Sequence, residues 1–512
     1  MKTHLYLSPI LIVLLLFNQA KGQIDAFKMS YPEYTTSNVH IVGYDSENSS
    51  LMNYQDSATG RQFFLFTNYY TDSQHNIYPH SRKYTPILTS GLGEIFYTVN
   101  DMKKVGNTCF ICGQMLVPCV SVNPPLPPIA PDHPRSSDYI KYGYVAFIQI
   151  DSIDAHFLGT RKVKFRYKMI KETSNLTKMV IHTCIPNFDT IIGLIGKTKD
   201  SPNPCLVKLK VKNQEENPIE AKVYSFQSST ETFTDIDLVG KSVVITSRFE
   251  QGNNTFGLRG AIHDEFFRNE NYYALEELHI FNISNMRKCD GPYAAWHPYN
   301  STIRIVGNPN TDMATIGHET RIINNEDTNN FSLAISLYHM KCYADLLTST
   351  FILYSARLAP NTQMRYEVFK DMKYIREQDK IALLLTAPTS TYFKGGLLYF
   401  TWGTDDMKAH FTSQSDMSGM DITSGKHIWT GGRNPFDDVV YHYRSDVTEL
   451  FCYCYNDYQN SRSTKLCGSL NETTTNTICN NNSNNNNNNW DYTKNIGCLN
   501  VNVETLCTDY SD

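Results

Sequence analysis

The chain reads as an all-β protein: a β-propeller-like closed sheet assembly, with tandem β-sandwiches as the alternative. Three observations carry this. Period-2 alternation of apolar and polar residues dominates, short β-branched or aromatic runs recur between Gly, Asn, Asp and Pro clusters, and helical periodicity is scarce. About twenty candidate strands fall between residues 38 and 455, and so many short strands need closure to hide their edges. Aromatic content of 12%, with 33 tyrosines, fits the same class.

The first element is an export leader. Met1-Lys2-Thr3-His4 gives a positive start, Leu5 to Phe17 is almost unbroken apolar sequence, and Ala20-Lys21-Gly22 places small residues before a cut at Gln23. Residues 1–22 are therefore expected to be removed, and the mature chain to be secreted and extracellular. The apolar run is too short to span a bilayer, and no transmembrane segment is expected elsewhere.

Residues 23–451 form the β-rich main body. Lys162 to Met169 and Val207 to Lys212 alternate without error, as strands with one buried face do. Apolar runs at Phe63–Phe66, Ile95–Val99, Tyr144–Ile150, Met179–His182, Val243–Thr246, Phe351–Tyr354, Ile381–Thr386, Leu397–Trp402 and Val439–Tyr443 read as further strands. Asn271–Phe281 and Phe369–Glu377 are the best helix candidates. Val39-His40-Ile41-Val42-Gly43 echoes Ile303-Arg304-Ile305-Val306-Gly307, but no clean repeat emerges. Residues 123–135 hold six prolines and read as a stiff loop.

Residues 452–512 read as a small cysteine-rich appendix, with a disordered asparagine run at 480–489. Cys452, Cys454, Cys467, Cys479, Cys498 and Cys507 could close three bridges among themselves. Cys109, Cys112, Cys119, Cys184, Cys205, Cys289 and Cys342 are scattered upstream. Export makes all thirteen disulfide candidates. The CxxC spacing of Cys109 and Cys112 lacks the strand–helix setting that activates a redox thiol, so structural half-cystines are expected there. Sequons at Asn48, Asn175, Asn253, Asn282, Asn300, Asn330, Asn471 and Asn481 become glycosylation candidates only because of the leader; a chain this rich in Asn, Ser and Thr has about that many by chance.

Charge is anomalous in one place. Residues 161–212 carry twelve Lys or Arg against three acids, in a chain of net charge −5. Lys162, Lys164, Arg166 and Lys168 share one strand face, and Lys208, Lys210 and Lys212 share another. If the strands are neighbours they form a cationic plate suited to polyanions such as sulfated glycans. The alternative is two solvated faces whose lysines discourage edge pairing.

No catalytic constellation appears. The carboxylate doublets Asp264-Glu265, Asp405-Asp406 and Asp437-Asp438 point to opposite faces of any strand and are not acid pairs in themselves. His-Glu-x-x-His, nucleophile-elbow and phosphate-loop patterns are missing, so no metal and no cofactor is assigned. The function expected is binding of an extracellular protein or glycan surface; nucleic acid is not expected as a partner. The rival reading is an extracellular glycan hydrolase on the same type of scaffold.

Overall fold

The computed structural model describes thirty-three strands, numbered β1 to β33 in chain order. It also describes Val39, residues 60–61, 85–87, 91–92, Gly106, Cys119, Asp138, 171–172, 199–201 and Asn203. The described residues are almost all strand, and no α-helix occurs among them. None of their segments is a helix long and apolar enough to cross a membrane. The leader, the Pro-rich segment, the asparagine run and the three carboxylate doublets lie outside the described residues.

The strands form seven antiparallel sheets. β1 (Asp25–Ser30) comes first in the chain but belongs to the seventh sheet. Sheet 1 runs β2 (His40–Tyr44), β3 (Ser49–Gln55), β4 (Gln62–Thr71) and β5 (Ile77–Tyr84). Sheet 2 holds the short β6 (Leu88–Ser90), then β7 (Gly93–Val105), β8 (Thr108–Pro118), β9 (Tyr139–Ile150) and β10 (Val163–Ile170). Sheet 3 is β11 (Thr173–Thr183), β12 (Thr190–Thr198), β13 (Pro204–Val211) and β14 (Glu220–Ser225). Sheet 4 is β15 (Glu231–Val239), β16 (Ser242–Gln251), β17 (Thr255–His263) and β18 (Leu278–Asn282).

Sheet 5 holds β19 (Arg287–Lys288), β20 (Ala295–Gly307), β21 (Met313–Ile323), β22 (Phe331–Lys341) and β23 (Leu353–Arg357). Sheet 6 is β24 (Val368–Ile375), β25 (Lys380–Thr386), β26 (Gly395–Thr401) and β27 (Met407–Thr412). Sheet 7 is β28 (Asp416–Thr423), β29 (His427–Asn434) and β30 (Val439–Asp446), with β1 added to β30 from Asp25↔Arg444 to Ser30↔Val439. Three strands from the C-terminal region join other sheets. β31 (Leu466–Cys467) pairs with β19, β32 (Asn471–Thr475) with β18, and β33 (Leu506–Tyr510) with β10.

Sheets 1 to 4 pack face to face in succession, so a sheet such as sheet 2 is apolar on both sides. Between sheets 1 and 2 lie Leu51, Phe64 and Phe66 against Ile111, Tyr144, Phe165 and Tyr167. Between sheets 2 and 3 lie Phe110, Val145 and Ile170 against Leu176, Ile192, Val207 and Leu209. Leu206 and Tyr224 of sheet 3 meet Phe233 and Val243 of sheet 4. Double-sided burial explains why Phe63 to Phe66 is a continuous apolar run: Phe63 and Leu65 face one cluster, Phe64 and Phe66 the other. It also accounts for the aromatic content, since Tyr97 meets both Tyr144 and Phe165 edge-on or tilted within 6 Å.

The two helix expectations are corrected where the residues are described: Leu278–Asn282 is β18 and Phe369 to Ile375 lies in β24, while 271–277 and 376–377 lie outside the described residues. The second was misleading for a physical reason. The β24–β25 register slips between Phe369 and Asp371, so Lys370 is an extra, bulged residue. Beyond that bulge the ladder is regular, so Met372 and Ile375 point to opposite faces; both are buried, and their spacing of three imitates a helical period. Strands between residues 38 and 455 also outnumber the roughly twenty expected, because Gly- and Ser-bearing strands such as β28 carry little apolar alternation.

Trp429, on β29, is 1% exposed and packs on Val39, Ile41, Met52, Tyr54, Phe63 and Leu65 of the sheet 1 region. It joins the last sheet to the first. Trp429→Ala is expected to cost about 3–5 kcal/mol, read as a lower midpoint in urea denaturation.

Candidate functional site

Each sheet has a lead strand that contacts the lead strands of neighbouring sheets. β2 contacts β7 and β28, β11 contacts β7 and β15, β20 contacts β15 and β24, and β24 contacts β28. The seven lead strands share a local sequence. A charged or ionisable residue precedes Ile or Met in every case: His40-Ile41, Asp101-Met102, Lys178-Met179, Asp235-Ile236, Arg304-Ile305, Asp371-Met372 and Asp421-Ile422. The Ile or Met is buried in six of the seven, with Ile422 half-buried.

A bulge helps to aim the charged residue. Register slips leave Asn100, Thr177, Thr234 and Lys370 unpaired, each immediately before Asp101, Lys178, Asp235 or Asp371. An extra residue rotates the one that follows it, and bulges commonly serve this purpose. The strand opposite must make room. Gly113 faces Val99 across the β7–β8 ladder, and a Cβ there would run into the Thr98 carbonyl oxygen.

The charged side chains reach across to the next sheet's backbone. Asp101 Oδ2 accepts the Met179 N–H at 3.0 Å, and Asp235 Oδ2 accepts the Ile305 N–H at 2.9 Å. Asp237 Oδ2 accepts the Gly307 N–H at 2.8 Å. Asp421 Oδ2 accepts the Gly43 N–H at 2.9 Å. Donors work in the same direction: Arg304 Nε donates to the Lys370 carbonyl at 2.8 Å, and His40 hydrogen-bonds the Val99 backbone. Asn100, a bulge residue, donates to Asn175 Oδ1 and to the Leu176 carbonyl, both at 2.7 Å.

Ion pairs link the same groups. Lys178 lies 3.7 Å from Asp101, Arg304 lies 3.9 Å from Asp371, and Lys373 lies 3.8 Å from Asp371. Burial pushes the Asp101 carboxyl up, but Lys178, Lys103, Lys373 and the Met179 N–H outweigh it and hold it well below the usual carboxylate range. Asp371 is lowered too, burial being outweighed by Lys373, Lys178, Arg304 and Lys103. Asp235, Asp237 and Asp421 are raised, because burial exceeds what their nearby cations and N–H donors return. Lys103 is raised: burial opposes its charge, and Asp101, Asp371 and Asp237 more than compensate.

Each carboxylate in this set already accepts a backbone N–H, Asp371 taking that of Met372 at 2.9 Å. The arrangement fixes sheets relative to one another. Among the described residues, no group of three His, Cys, Asp or Glu side chains is placed to hold a metal ion.

The expected cationic plate does not assemble from neighbouring strands. Lys168 lies on β10 of sheet 2, between β33 and β9, and Lys208 and Lys210 on β13 of sheet 3. Lys168 stands opposite Val145, on the face turned to sheet 3, and is only 7% exposed. Lys208 and Lys210 alternate with Val207 and Leu209 and so share a face with Leu206, which is turned to sheet 4. Lys210 pairs in register with Glu220, and Lys164 with Asp509. Arg166 is half-buried opposite Phe147. Lys162 and Lys212 lie outside the described residues.

Among the described cysteines, Cys109, Cys112 and Cys205 are buried with free thiols, and Cys119 is exposed. Burial pushes the Cys205 thiol up to about 12, and Cys109 and Cys112 rise as well, which keeps all three unreactive. Cys467 and Cys507 lie in β31 and β33. Cys184, Cys289, Cys342, Cys452, Cys454, Cys479 and Cys498 lie outside the described residues. Among the sequons, Asn175 is half-buried, with its side-chain oxygen taken by Asn100. Asn282, Asn300 and Asn471 lie on β18, β20 and β32; Asn48, Asn253, Asn330 and Asn481 lie outside the described residues.

The lead-strand residues were missed by sequence reading, apart from the echo of residues 39–43 in 303–307, which is two of the seven copies. No protein-family model matches the chain, and no curated protein matches it significantly.

Two outcomes follow from this geometry. Asp101→Ala leaves the Met179 N–H and the Lys178 ammonium without their carboxylate, and is expected to cost about 3–5 kcal/mol in denaturant unfolding. Asp101→Asn keeps an acceptor and should cost less. The second outcome concerns acid. Burial, followed by Lys178, lowers half-buried His40 from 6.5 to about 4, against the opposing pull of Asp101, Asp371 and the Val99 bond. The unfolded chain then binds the extra proton between those values, so His40's contribution is complete above about pH 6.5 and is lost as pH falls towards 4. His40→Gln should flatten the stability–pH curve in that window by up to about 3 kcal/mol relative to the parent. Thermal unfolding of both proteins from pH 7 to pH 4 checks it.

Proposed function

We propose that this chain is a secreted, glycosylated seven-bladed β-propeller that binds an extracellular protein or glycan surface and does not turn it over. Support for the closed arrangement comes from order and contact. Sheets 1 to 7 follow the chain, lead strand touches lead strand, and β28 touches β2. The N-terminal β1 completes the sheet made by the last long strands, so the two ends of the body are held in one sheet. β1 begins two residues after the expected cut before Gln23.

The observation that carries the binding reading is the employment of the lead-strand carboxylates. Asp101, Asp235, Asp237 and Asp421 each hold the backbone of an adjoining sheet. Glycoside hydrolysis needs an acid and a second carboxylate free to work on opposite sides of one bond. Carboxylates engaged in this way are structural groups, and recognition falls to the connections and outer surfaces.

The test is direct. Mature protein beginning at Gln23 is passed over immobilised extracellular proteins and over neutral and sulfated glycans. Saturable binding without release of reducing ends is the expected result. Reducing-end release that Asp235→Asn or Asp371→Asn abolishes would establish the hydrolase instead. Closure has its own test. Deleting residues 23–30 should expose the β30 edge, lower Tm cooperatively for the whole body and promote association through that edge. Loss confined to one of two separate transitions would favour tandem sandwiches.

A further inference from the structure

Sheet 2 runs further than sheet 3. β11 begins against Gly143 and Gln114: the Thr173 hydroxyl stands over Gly143, and Gln114 Nε2 donates to the Ser174 carbonyl at 3.0 Å. The same face of sheet 2 continues past that point. Phe96, Leu116 and Lys141 pair in register across β7, β8 and β9, and Tyr139 lies opposite Pro118 in the row beyond. The Phe96 and Tyr139 rings meet edge-on at 6.0 Å. Both are half-buried, as is Leu116, and Lys141 is exposed. The overhang is a small aromatic platform that carries a cation.

Two more cations stand at its margin on a stiff support. The Lys199 N–H donates to the Glu172 carbonyl at 2.9 Å, which ties the β12–β13 turn to the β10–β11 link. Within that turn the Thr198 N–H donates to the Asn203 carbonyl at 3.0 Å. Exposed Lys199 Nζ lies 4.3 Å from the centre of the Tyr142 ring and donates to its hydroxyl at 3.3 Å, so the ammonium is held in one place before any ligand arrives. Lys171, also exposed, adjoins Glu172. None of Lys141, Lys171 and Lys199 is in an ion pair among the described residues. The acids nearby are exposed Asp200, half-buried Glu172 and Asp138, and Glu94, which Arg61 already pairs at 2.9 Å.

Half-open rings suit the apolar face of a sugar, and positioned ammoniums suit its anionic substituents. An apolar partner would leave the lysines unused, and so would a neutral sugar. We propose that this overhang of sheet 2 binds a sulfated oligosaccharide. The inference rests on the binding reading above and gives it a ligand class and a place.

A heparin-derived hexasaccharide is titrated into the mature chain at several salt concentrations, with maltohexaose as the neutral control. Saturable binding that weakens steeply with salt is expected for the first, and none for the second. Lys141→Ser with Lys199→Ser should weaken binding at least about tenfold and lower the salt slope by about two, one for each lysine. Tyr139→Ala should weaken binding and leave the slope unchanged, which attraction by charge alone would not do. Should a variant not fold, the wild-type protein still decides the matter. Bound hexasaccharide should then shield Lys141 and Lys199 from acetylation, read by mass spectrometry, and a lack of shielding overturns the site. Equal affinity of the wild type and the double lysine variant also overturns it, while leaving glycan binding by the chain intact. Equal competition by phosphatidylserine vesicles or single-stranded DNA overturns the choice of a sugar. Failure to bind any glycan or extracellular protein overturns this inference together with the reading beneath it.

Discussion

Apolar clusters lie between sheets 1 and 2, 2 and 3, 3 and 4, and 7 and 1, and apolar contact has no direction. What fixes one sheet against the next is a side chain on the lead strand that reaches a backbone group of its neighbour. The need is specific. A lead strand stands at or near the edge of its sheet, so part of its N–H and C=O row faces away from the ladder. Left unpaired beside packed side chains, each such group would cost as much as a lost hydrogen bond. Asp101, Asp235, Asp237 and Asp421 supply acceptors to N–H groups, while Arg304 and His40 supply donors to carbonyls. One structural problem therefore has acidic and basic solutions, and both occur in the same chain.

That latitude explains how much was legible beforehand. The all-β class was readable because Lys162 to Met169 and Phe63 to Phe66 carry strand signals that need no alignment. The repeat was nearly unreadable. Its invariant core is a charged residue followed by Ile or Met, and the charge changes sign from Asp101 to Lys178 to Asp235. Only residues 39–43 and 303–307 retain enough further likeness to be noticed. Bulges hid the rest: the unpaired Asn100, Thr177, Thr234 and Lys370 each break the alternation by which a strand is recognised, next to the residue that matters. In β24, burial of Met372 and Ile375 on opposite faces of the strand made it resemble a helix.

The lysine-bearing strands failed as a plate for a related reason. Alternation says that two faces differ, but not that the polar face is wet. In β10 the odd positions do what alternation suggests, with Phe165 and Tyr167 buried towards sheet 1. The even positions turn to sheet 3, where Ile170 is buried and Lys168 almost so. In a sheet covered on both sides, the polar face of a strand is turned to the next sheet, and Lys164 stands in register with Asp509 of β33. High local charge thus reported on strands with a crowded second face, not on a basic surface.

The buried charges also bear on where function resides. Desolvating Asp101 and Lys178 costs several kcal/mol, and an apolar pair of similar size could stabilise the core as well or better. An apolar pair could not accept the Met179 N–H. A leucine at residue 101 would orphan that group and leave the relative height of sheets 2 and 3 to side-chain packing and the remaining bonds from Asn100 and Gln114. Charge is retained at these positions because it is directional and specifies one alignment of neighbouring sheets among several that bury similar area. The variable parts of such a scaffold are the connections between strands, which differ in length and composition from one sheet to the next. Recognition placed there can change without disturbing the bridges that hold the sheets in register.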